Sequence, residues 1–490
     1  MIVSPGNPRP MLIAGEWIDD TGSFLEGLDP ATGRARDPVC AAEPRHVALA
    51  VEAAAEAASR REWREMLPHR RAAILHRMGE LILANSEGLA RLQMLENGKV
   101  WNECVAQVKG AAATFAYFAS LCETMGSEVT PSRGDYLSMV VYEPYGVVAA
   151  ITPWNSPLTM EAQKVAPALA AGNAVVLKPS ELTPSPALEL GRIAISAGLP
   201  RGLLNVIPGT GAVAGAALVA HPGVRMVSFT GGTASGRRIA AIAAERLIPA
   251  ALELGGKSPH IIFADAAIED AVDSVVGGIF EGSGQSCVAG SRLFVQRTIA
   301  DRVIDGLIAQ ARGLRVDLPD REGAQMGPIA SFEHRARIEA MVESARADGA
   351  DVLTGGRRPP DPRLAAGAFY EPTVIAGIDN HAAIARQEIF GPVLCVLPFD
   401  DEDDLVAQAN DSAYGLAAGV WSGDYQKAWR VARRLEAGTV WINTYKQLSI
   451  ATPFGGFKES GLGREKGPGG VRLYQQSKAI YLGMGSGRIP

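Results

Sequence analysis

The sequence predicts an α/β protein built around parallel sheets, and three observations support that prediction. From residue 146 onward, short apolar strands alternate with helix-length segments, which is typical of a parallel sheet covered on both faces. A second unit of the same character follows residue 250. The chain of 490 residues also exceeds the usual size of one hydrophobic core, so we expect two or three domains.

The first quarter of the chain is predicted to be helical. Residues 45–60 are rich in alanine, and residues 67–85 place five large apolar side chains on one helical face. The helical pattern continues over residues 99–124. From residue 127 the composition changes, and the β-forming residues 136–142 follow a turn. We therefore expect a β-hairpin that interrupts the helical region.

The alternating region follows the hairpin. Its predicted strands and helices are, in order, residues 146–151, 158–171, 174–178, 184–197, 203–207, 211–220, 225–229 and 233–244. In the second unit we expect a helix over residues 271–280 and strands over residues 292–296, 393–399, 417–421 and 439–442. A last strand, 477–482, has no obvious local partner and is expected to pair with another subunit or with the hairpin. Parallel sheets bind ligands beyond the carboxyl ends of their strands, so function is expected there.

Composition excludes several classes of protein. Hydrophobic residues make up 47% of the chain and charged residues 20%, and the formal charge of −6 is spread out, so nothing indicates a nucleic acid or an anionic membrane as partner. The five cysteines are widely spaced, which favours reduced thiols in the cytoplasm. The N-terminus has no signal-like basic and apolar run, and the apolar stretch 212–220 is too short to span a bilayer. We expect a soluble, cytoplasmic protein.

Cys287 is the first candidate for chemistry. It lies in the segment 281–290, EGSGQSCVAG, where nearly every neighbour is small or flexible. A structural cysteine is usually surrounded by large apolar side chains. This thiol instead sits in a tight turn between a predicted helix and a predicted strand, so we interpret it as a candidate nucleophile.

Polar residues follow the first two strands of the alternating region. Asn155 lies between two prolines that fix the backbone, so its amide is a candidate oxyanion donor, although a turn-forming asparagine explains the spacing as well. Lys178 and Glu181 are placed to hold the two hydroxyls of a ribose. Alternatively, Ser180 and Glu181 begin the next helix, where acidic residues suit the helix dipole.

Two glycine-rich turns indicate a nucleotide. Residues 229–236, FTGGTASG, follow the fourth strand, where glycines let the backbone approach a pyrophosphate and a helix N-terminus offers free N–H groups. Residues 208–215, PGTGAVAG, differ from the dinucleotide fingerprint by one extra residue. Each turn alone is a weak signal, and the two together favour a nucleotide.

Two carboxylates complete the candidate set. Glu253 lies between two leucines, and apolar flanks raise a carboxyl pKa toward the range of a general base, whereas the alternative is a glutamate facing solvent. Glu388 lies in a constrained turn. Trp154, Phe390 and Phe454 are equally explained as packing residues. The histidines are scattered and no cluster has metal-ligand spacing, so neither a metal mechanism nor a Ser–His triad is supported.

Seven motifs in one order resemble the aldehyde dehydrogenase superfamily. They are PWN (153–155), KPSE (178–181), FTGGTASG (229–236), LELGGK (252–257), GQSC (284–287), EIFGP (388–392) and PFGGFKESG (453–461). The resemblance implies a Rossmann-like NAD-binding domain (residues 1–126 and 143–252), an α/β catalytic domain (253–474) and a small β oligomerisation element (127–142 and 475–490). It also implies a homodimer or a homotetramer.

The resemblance further implies a catalytic set, Cys287, Glu253, Asn155 and Lys178. Cys287 would attack an aldehyde to give a thiohemiacetal, with the Asn155 amide and the Cys287 N–H as oxyanion hole. Loss of a hydride to the nicotinamide would leave a thioester, which Glu253 would hydrolyse by activating water. Lys178 and Glu181 would hold the adenosine ribose and Glu388 the nicotinamide ribose.

The resemblance assigns two larger groups of residues. The implied cofactor contacts are Thr152, Pro153, Trp154, Lys178, Ser180, Glu181, Gly209, Gly211, Phe229, Gly231, Gly232, Thr233, Gly236, Leu254, Gly255, Glu388 and Phe390. The implied substrate lining is Ser156, Gln163, Ser286, Val288, Lys446, Leu448 and Phe454. Gly232 stands where many relatives have serine, so only backbone contacts to the pyrophosphate are expected there.

Two specificity expectations follow. The Glu181 carboxylate would repel a 2′-phosphate, so NAD is expected to be preferred over NADP, which stays possible. Lys446 suits an anionic or oxygenated tail, which favours a functionalised aliphatic aldehyde or a semialdehyde.

Two other functions fit the same fold. A CoA-acylating relative would pass the acyl group to CoA, but Glu253 argues for water as the acceptor. A non-catalytic binding protein would be expected to have lost part of the set, whereas Asn155, Lys178, Glu253, Cys287 and Glu388 are all present.

Overall fold

The computed structural model describes residues 8–484. The N-terminal residues 1–7, where no signal segment is expected, lie outside the described residues, and so do residues 485–490 of the expected oligomerisation element. Among residues 8–484, none of the helices combines the length and the apolar character needed to cross a bilayer.

The described chain alternates between strands and helices along most of its length. The strands are β1 (Met11–Ile13), β2 (Glu16–Ile18), β3 (Phe24–Leu25), β4 (Val39–Cys40), β5 (Glu128–Thr130), β6 (Tyr136–Pro144), β7 (Val147–Ile151), β8 (Ala174–Lys178), β9 (Leu204–Val206), β10 (Met226–Thr230), β11 (Ala250–Glu253), β12 (Pro259–Ile262), β13 (Arg292–Gln296), β14 (Asp351–Thr354), β15 (Thr373–Ala376), β16 (Val393–Phe399), β17 (Tyr414–Gly415), β18 (Ala417–Trp421), β19 (Thr439–Ile442), β20 (Phe457–Lys458), β21 (Gly461–Leu462) and β22 (Gln475–Gly483). The α-helices are α1 (Pro44–Ser59), α2 (Arg61–Arg64), α3 (Pro68–Ala84), α4 (Ser86–Asn97), α5 (Trp101–Thr124), α6 (Pro157–Ala170), α7 (Ser185–Ser196), α8 (Ala216–Ala220), α9 (Thr233–Glu245), α10 (Ile268–Phe280), α11 (Ala300–Gly313), α12 (Phe332–Ala347), α13 (Ala383–Arg386), α14 (Glu402–Asn410), α15 (Tyr425–Arg434) and α16 (Gly469–Arg472).

The first sheet has eight strands in the order β2-β1-β9-β8-β7-β10-β11-β21. Its five central strands are parallel, in the order β9-β8-β7-β10-β11. Strands β7 and β8 are buried at every position because apolar runs fill both faces of the sheet. The edge strand β21 runs antiparallel to β11 and pairs Gly461 with Glu253. A late part of the chain therefore lies beside the predicted catalytic carboxylate.

The second sheet has seven strands in the order β14-β15-β16-β13-β12-β18-β19. All of its pairings are parallel except that of the edge strand β14 with β15. Helix α10 packs the apolar face that the sequence predicted, including Val272, Val275 and Ile279, into the core beside this sheet. Its last residue, Phe280, leads directly into the turn that holds Cys287.

The predicted hairpin and the predicted last strand form one small sheet, in the order β22-β6-β5. Strand β22 pairs with β6 over its whole length, from Gln475 opposite Pro144 to Gly483 opposite Tyr136. The hairpin is therefore the local partner that the last strand lacked in the sequence.

The predicted boundaries agree with the structure within a few residues, with one informative difference. The predicted helix 211–220 begins with a π-helical turn, Gly211–Gly215, and becomes α-helical only at Ala216. The Thr210 hydroxyl accepts a hydrogen bond from Val213 N, and glycines at both ends tolerate the wider turn.

Candidate active site

A cavity of about 880 Å³ brings the three central candidates together. Asn155 follows β7, Glu253 ends β11 and Cys287 follows α10, and all three side chains line this one cavity. The carboxyl ends of parallel strands in the first sheet thus face the turn that leaves α10. Parallel sheets bind ligands beyond the carboxyl ends of their strands, so the cavity lies where the sequence predicted a ligand site.

The turn before Cys287 has an uncommon backbone. Gly282, Ser283 and Gly284 have φ angles of 66°, 58° and 71°, which is the left-handed region. A side-chain carbon built on Gly284 would lie 2.1 Å from the carbonyl oxygen of Gly391, so only glycine fits there. Three left-handed residues reverse the chain sharply and bring Cys287 to the cavity wall.

The thiol of Cys287 is protonated at rest. Burial raises its pKa to about 12, and the carboxylates of Glu253 and Glu388 contribute in the same direction, while Lys466 opposes them. The cysteine packs against the apolar cluster of Val288 and its neighbours, which explains the desolvation. A nucleophilic role therefore requires a base or a change in the local charge.

Glu253 is a buried carboxyl with spare acceptor capacity. The residue is 5% exposed, and neither carboxylate oxygen has a hydrogen-bond partner among residues 8–484. Burial raises its pKa well above the usual range, and the nearby Glu465 adds to the shift. The alternative of a glutamate that faces solvent is therefore wrong for Glu253. Its carboxylate is suited to take up a proton from water.

A buried polar network lies behind Glu253. Lys164 Nζ is 2.6 Å from Glu465 Oε1 and donates to Ser228 Oγ at 3.1 Å, and Ser228 Oγ is 2.9 Å from the Tyr474 hydroxyl. Sequence reasoning missed this network, because its members come from α6, β10 and the end of the chain. Lys164 follows Glu161 and Gln163 in α6, so a further polar residue there gave no local signal.

The amide of Asn155 is anchored to the turn that holds the nucleophile. Its Nδ2 donates to Gln285 O at 2.9 Å, and the Gln285 side chain donates to Gly282 O and accepts from Ala330 N. This bond joins the turn after β7 to the turn after α10. The amide has a second N–H, which is available to an oxygen in the cavity.

Lys178 and Glu181 form an ion pair at the end of β8. Lys178 Nζ is 3.3 Å from Glu181 Oε2. Burial lowers the pKa of the Lys178 ammonium, and the Glu181 charge partly opposes that effect. The Glu181 side chain is 46% exposed, so its carboxylate is accessible beside a fixed cation. Such a pair is suited to bind the two hydroxyls of a ribose.

The residues present fit a dinucleotide. Helix α9 begins at Thr233 after Gly232, and a side-chain carbon built on Gly232 would meet no atom within 4 Å, so there is open space beside the helix start, where N–H groups suit a phosphate. A side-chain carbon on Gly255 would lie 2.4 Å from Glu388 Oε2, so glycine leaves room for that carboxylate. Glu388 Oε1 accepts from Gly256 N at 3.0 Å, and burial raises the Glu388 pKa.

The structure places the predicted cofactor residues in two groups. Those that line the cavity are Pro153, Trp154, Gly231, Gly232, Leu254, Gly255, Glu388 and Phe390. Those outside it are Thr152, Lys178, Ser180, Glu181, Gly209, Gly211, Phe229, Thr233 and Gly236. The second group belongs to β8 and β10 or follows the strands β7 to β10, at the same edge of the sheet. The predicted substrate residues all line the cavity: Ser156, Gln163, Ser286, Val288, Lys446, Leu448 and Phe454.

Several lining residues were not foreseen. Gln107 on α5 donates from Nε2 to Ser156 Oγ at 3.2 Å. His334 packs edge-on against Trp154, and its Nε2 is 2.8 Å from Phe390 O. Lys446, which was predicted to line the cavity, donates from Nζ to Gly277 O at 3.4 Å, and this Nζ is 3.6 Å from Glu281 Oε2. Within residues 8–484, no group of three or more His, Cys, Asp or Glu side chains is arranged to hold a metal ion.

The chain is similar to known proteins along nearly its whole length. The family model described as the aldehyde dehydrogenase family matches residues 17–480. A betaine aldehyde dehydrogenase from Bacillus subtilis (strain 168) is 39% identical over 473 residues, 96% of each chain. A peroxisomal aminoaldehyde dehydrogenase 1 from Pisum sativum is 40% identical over 480 residues, which cover 96% of this chain and 95% of that protein.

Solved structures show the same fold. An NAD+ complex of an aldehyde dehydrogenase from Bacillus cereus matches with a TM-score of 0.95 at 37% identity, over 99% of both chains. A betaine aldehyde dehydrogenase from Staphylococcus aureus in complex with NAD+ matches with a TM-score of 0.96 at 38% identity, over 99% of this chain and 96% of that one. The predicted α/β fold, with a Rossmann-like part and a catalytic part, is thereby confirmed. The chain belongs to the aldehyde dehydrogenase family.

Proposed function

We propose that this protein oxidises an aldehyde to the free carboxylic acid with NAD+, through a covalent intermediate on Cys287. The observation that supports this function best is the convergence of Cys287, Glu253 and Asn155 on one cavity that continues past the Gly231–Gly232 turn. Relatives of the same fold have been solved as NAD+ complexes, which supports NAD+ as the cofactor.

The first half of the reaction uses Cys287 and Asn155. The Cys287 sulfur attacks the aldehyde carbon, and the thiol proton passes to a base, for which Glu253 is the buried candidate. The Asn155 amide and the Cys287 N–H stabilise the oxyanion of the thiohemiacetal, and losing one such donor typically costs about 2.7–4 kcal/mol of barrier. A bound NAD+ would supply the acceptor for a hydride from that carbon. The carbonyl re-forms, and Cys287 is left as a thioester.

The second half of the reaction uses Glu253. Once the proton taken from the thiol has passed to solvent, its carboxylate takes a proton from water. The resulting hydroxide adds to the thioester carbon, and the Cys287 sulfur leaves as the acid forms. A carboxyl with a raised pKa and no competing hydrogen bond within the described chain is well matched to this task. A CoA-acylating enzyme would not need this group, so hydrolysis is the favoured outcome.

Preference for NAD over NADP is proposed from Glu181. Its exposed carboxylate lies beside the buried Lys178 cation, where it can accept a hydrogen bond from the 2′-hydroxyl of the adenosine ribose. A 2′-phosphate at about 4 Å would be repelled by about 1 kcal/mol in bulk water and by several near a protein surface.

The proposed substrate is a functionalised aliphatic aldehyde or a semialdehyde. Ser156, Gln107 and Gln163 give the cavity a hydrogen-bonding wall, and Lys446 adds a cation beside Glu281. Quaternary ammonium groups are typically held by several aromatic faces. In the described lining, Trp154 and Phe390 pack against each other on the cofactor side, which leaves Phe454 as the one aromatic ring among the assigned substrate residues. The betaine aldehyde activity named for the relatives is therefore not the one proposed here.

Domain boundaries, assembly and location are also proposals. We assign residues 1–126 and 143–252 to NAD binding, 253–474 to catalysis, and 127–142 with 475–490 to oligomerisation. The exposed apolar residues Val129, Tyr481 and Leu482 support a homodimer or homotetramer through the small sheet. Five free cysteines favour a cytoplasmic location.

A single-turnover experiment tests the function. Wild-type protein mixed with NAD+ and a panel of aldehydes should form NADH and the free acid in equal amounts, and Cys287→Ala should form neither. Acid formation by Cys287→Ala at the wild-type rate, or an acyl product only with CoA present, would contradict the proposal. Within the panel, equal kcat/KM for Lys446→Ala and wild type with acidic semialdehydes would remove the role given to Lys446.

A further inference from the structure

Glu103 reaches the backbone of the turn that holds the nucleophile. It lies in the first turn of α5, and its Oε1 accepts a hydrogen bond from Gly282 N at 2.7 Å. The two residues are 179 positions apart in the sequence, so only the fold brings them together. Burial raises the pKa of Glu103, and the Lys99 charge is the largest effect in the opposite direction.

This contact falls where the turn most needs support. Gly282 is the first of the three left-handed residues, and the non-glycine Ser283 is the second. Such a backbone persists only where surrounding groups hold it. Ser283 Oγ donates to Gly327 O at 2.8 Å, and Gln285 Nε2 donates to Gly282 O at 3.2 Å. Glu103 holds the remaining polar group of Gly282, its N–H.

The charges around the contact are balanced. A side-chain carbon built on Gly282 would lie 3.0 Å from Lys99 Nζ, so this cation covers the same backbone. Lys446 and Glu281 form a second pair, 3.6 Å apart, at the start of the turn. Two cations and two carboxylates thus surround the backbone from residue 281 to 282, which permits a charged acceptor at the half-buried Glu103.

We propose that Glu103 is a positioning residue, whose carboxylate oxygen fixes the left-handed turn at Gly282 and so aims Cys287 into the cavity. The inference deepens the proposed function of the same site, and only its kinetic readout rests on that function. Displacing a reacting group by about 1 Å can cost on the order of a hundredfold in rate.

Two substitutions separate the acceptor from the charge. Glu103→Gln keeps an oxygen at the same reach and removes the charge, whereas Glu103→Asp keeps the charge and withdraws the oxygen by one methylene. The matched controls are Glu123→Gln and Glu123→Asp, at an exposed glutamate near the other end of the same helix. For each protein we would measure the rate of Cys287 alkylation by iodoacetamide, located by mass spectrometry, together with kcat and the melting temperature.

The expected order is wild type, then Glu103→Gln, then Glu103→Asp. Glu103→Asp should lower both the alkylation rate and kcat by about tenfold to a hundredfold, while Glu103→Gln and both controls stay within about threefold of wild type. A role in stability alone would lower the melting temperature and leave the alkylation rate of the folded protein unchanged, which would overturn the proposal.

Damage by Glu103→Gln with Glu103→Asp close to wild type would also overturn it, because the charge would then matter and not the reach of the hydrogen-bond acceptor. If wild type is alkylated at Cys287 but oxidises no aldehyde, the proposed function fails, and the alkylation rates still decide the role of Glu103.

Discussion

Replacing Glu253 by glutamine should separate the two halves of the reaction. The new amide would keep the shape of the side chain and lose its ability to take a proton. Because both carboxylate oxygens are unpaired among the described residues, the change breaks no hydrogen bond there. It also removes the repulsion from Glu465 that helps to raise the Glu253 pKa. We therefore expect unchanged or higher stability, and any loss of rate reflects chemistry.

The size of the loss follows from the role. A positioned general base contributes about 10²–10⁴ in rate, which at 1.36 kcal/mol per tenfold is about 2.7–5.4 kcal/mol of barrier. If the base acts on water, hydrolysis of the thioester becomes the slow step in Glu253→Gln. The enzyme should then release about one NADH per active site in a burst and turn over slowly, with an acyl group on Cys287 detectable by mass spectrometry.

Glu161 supplies a matched control. It is another fully buried glutamate with both oxygens unpaired in the described chain, and burial raises its pKa well above the usual range. It does not line the cavity. Glu161→Gln should keep turnover within about twofold of wild type. Steady-state turnover of Glu253→Gln within about tenfold of wild type, with no acyl-enzyme, would refute the assignment of the base.

Three further predictions concern the same site. Asn155→Ala should lower kcat by about 10²–10³ with little change in the KM for NAD+, and an unchanged kcat would remove Asn155 from the oxyanion hole. Glu181→Gln should raise kcat/KM for NADP relative to NAD, and a wild-type enzyme that already favours NADP would contradict the role of Glu181. Because burial raises the pKa of the Cys287 thiol to about 12, its alkylation without cofactor should rise about tenfold per pH unit from pH 7 to 10, whereas a plateau near pH 9, as for a thiol of pKa about 8.5, would contradict that shift.

The sequence predicted those parts of the molecule that depend on local patterns. Strand β8 has the predicted bounds because an apolar run between a glycine turn and a proline leaves little choice. The pair of Lys178 and Glu181 was predicted because both residues lie at the end of the same strand, three positions apart. Small or flexible neighbours indicated Cys287, the two flanking leucines indicated Glu253, and the two nearby prolines indicated Asn155.

Contacts between distant segments could not be foreseen in the same way. Glu103 and Gly282 are 179 positions apart, and Lys164 and Glu465 are 301 apart. Each of these side chains is ordinary in its local sequence, and only the packing of α5 and α6 against the catalytic turn and the chain end gives it a partner. The π-helical turn after Thr210 was missed for another reason, since a glycine-rich helix start does not distinguish π from α hydrogen bonding.

The central claim is that the sulfur of Cys287, the amide of Asn155 and a bound nicotinamide meet at one carbonyl carbon. A crystal structure of Glu253→Gln with NAD+ and an aldehyde that the enzyme oxidises tests it most directly. We predict a covalent bond from Cys287 Sγ to the substrate carbon, with the substrate oxygen about 2.7–3.1 Å from Asn155 Nδ2 and the nicotinamide beside that carbon. A substrate bound away from Cys287, or an Asn155 amide that still contacts only Gln285 O, would contradict the claim.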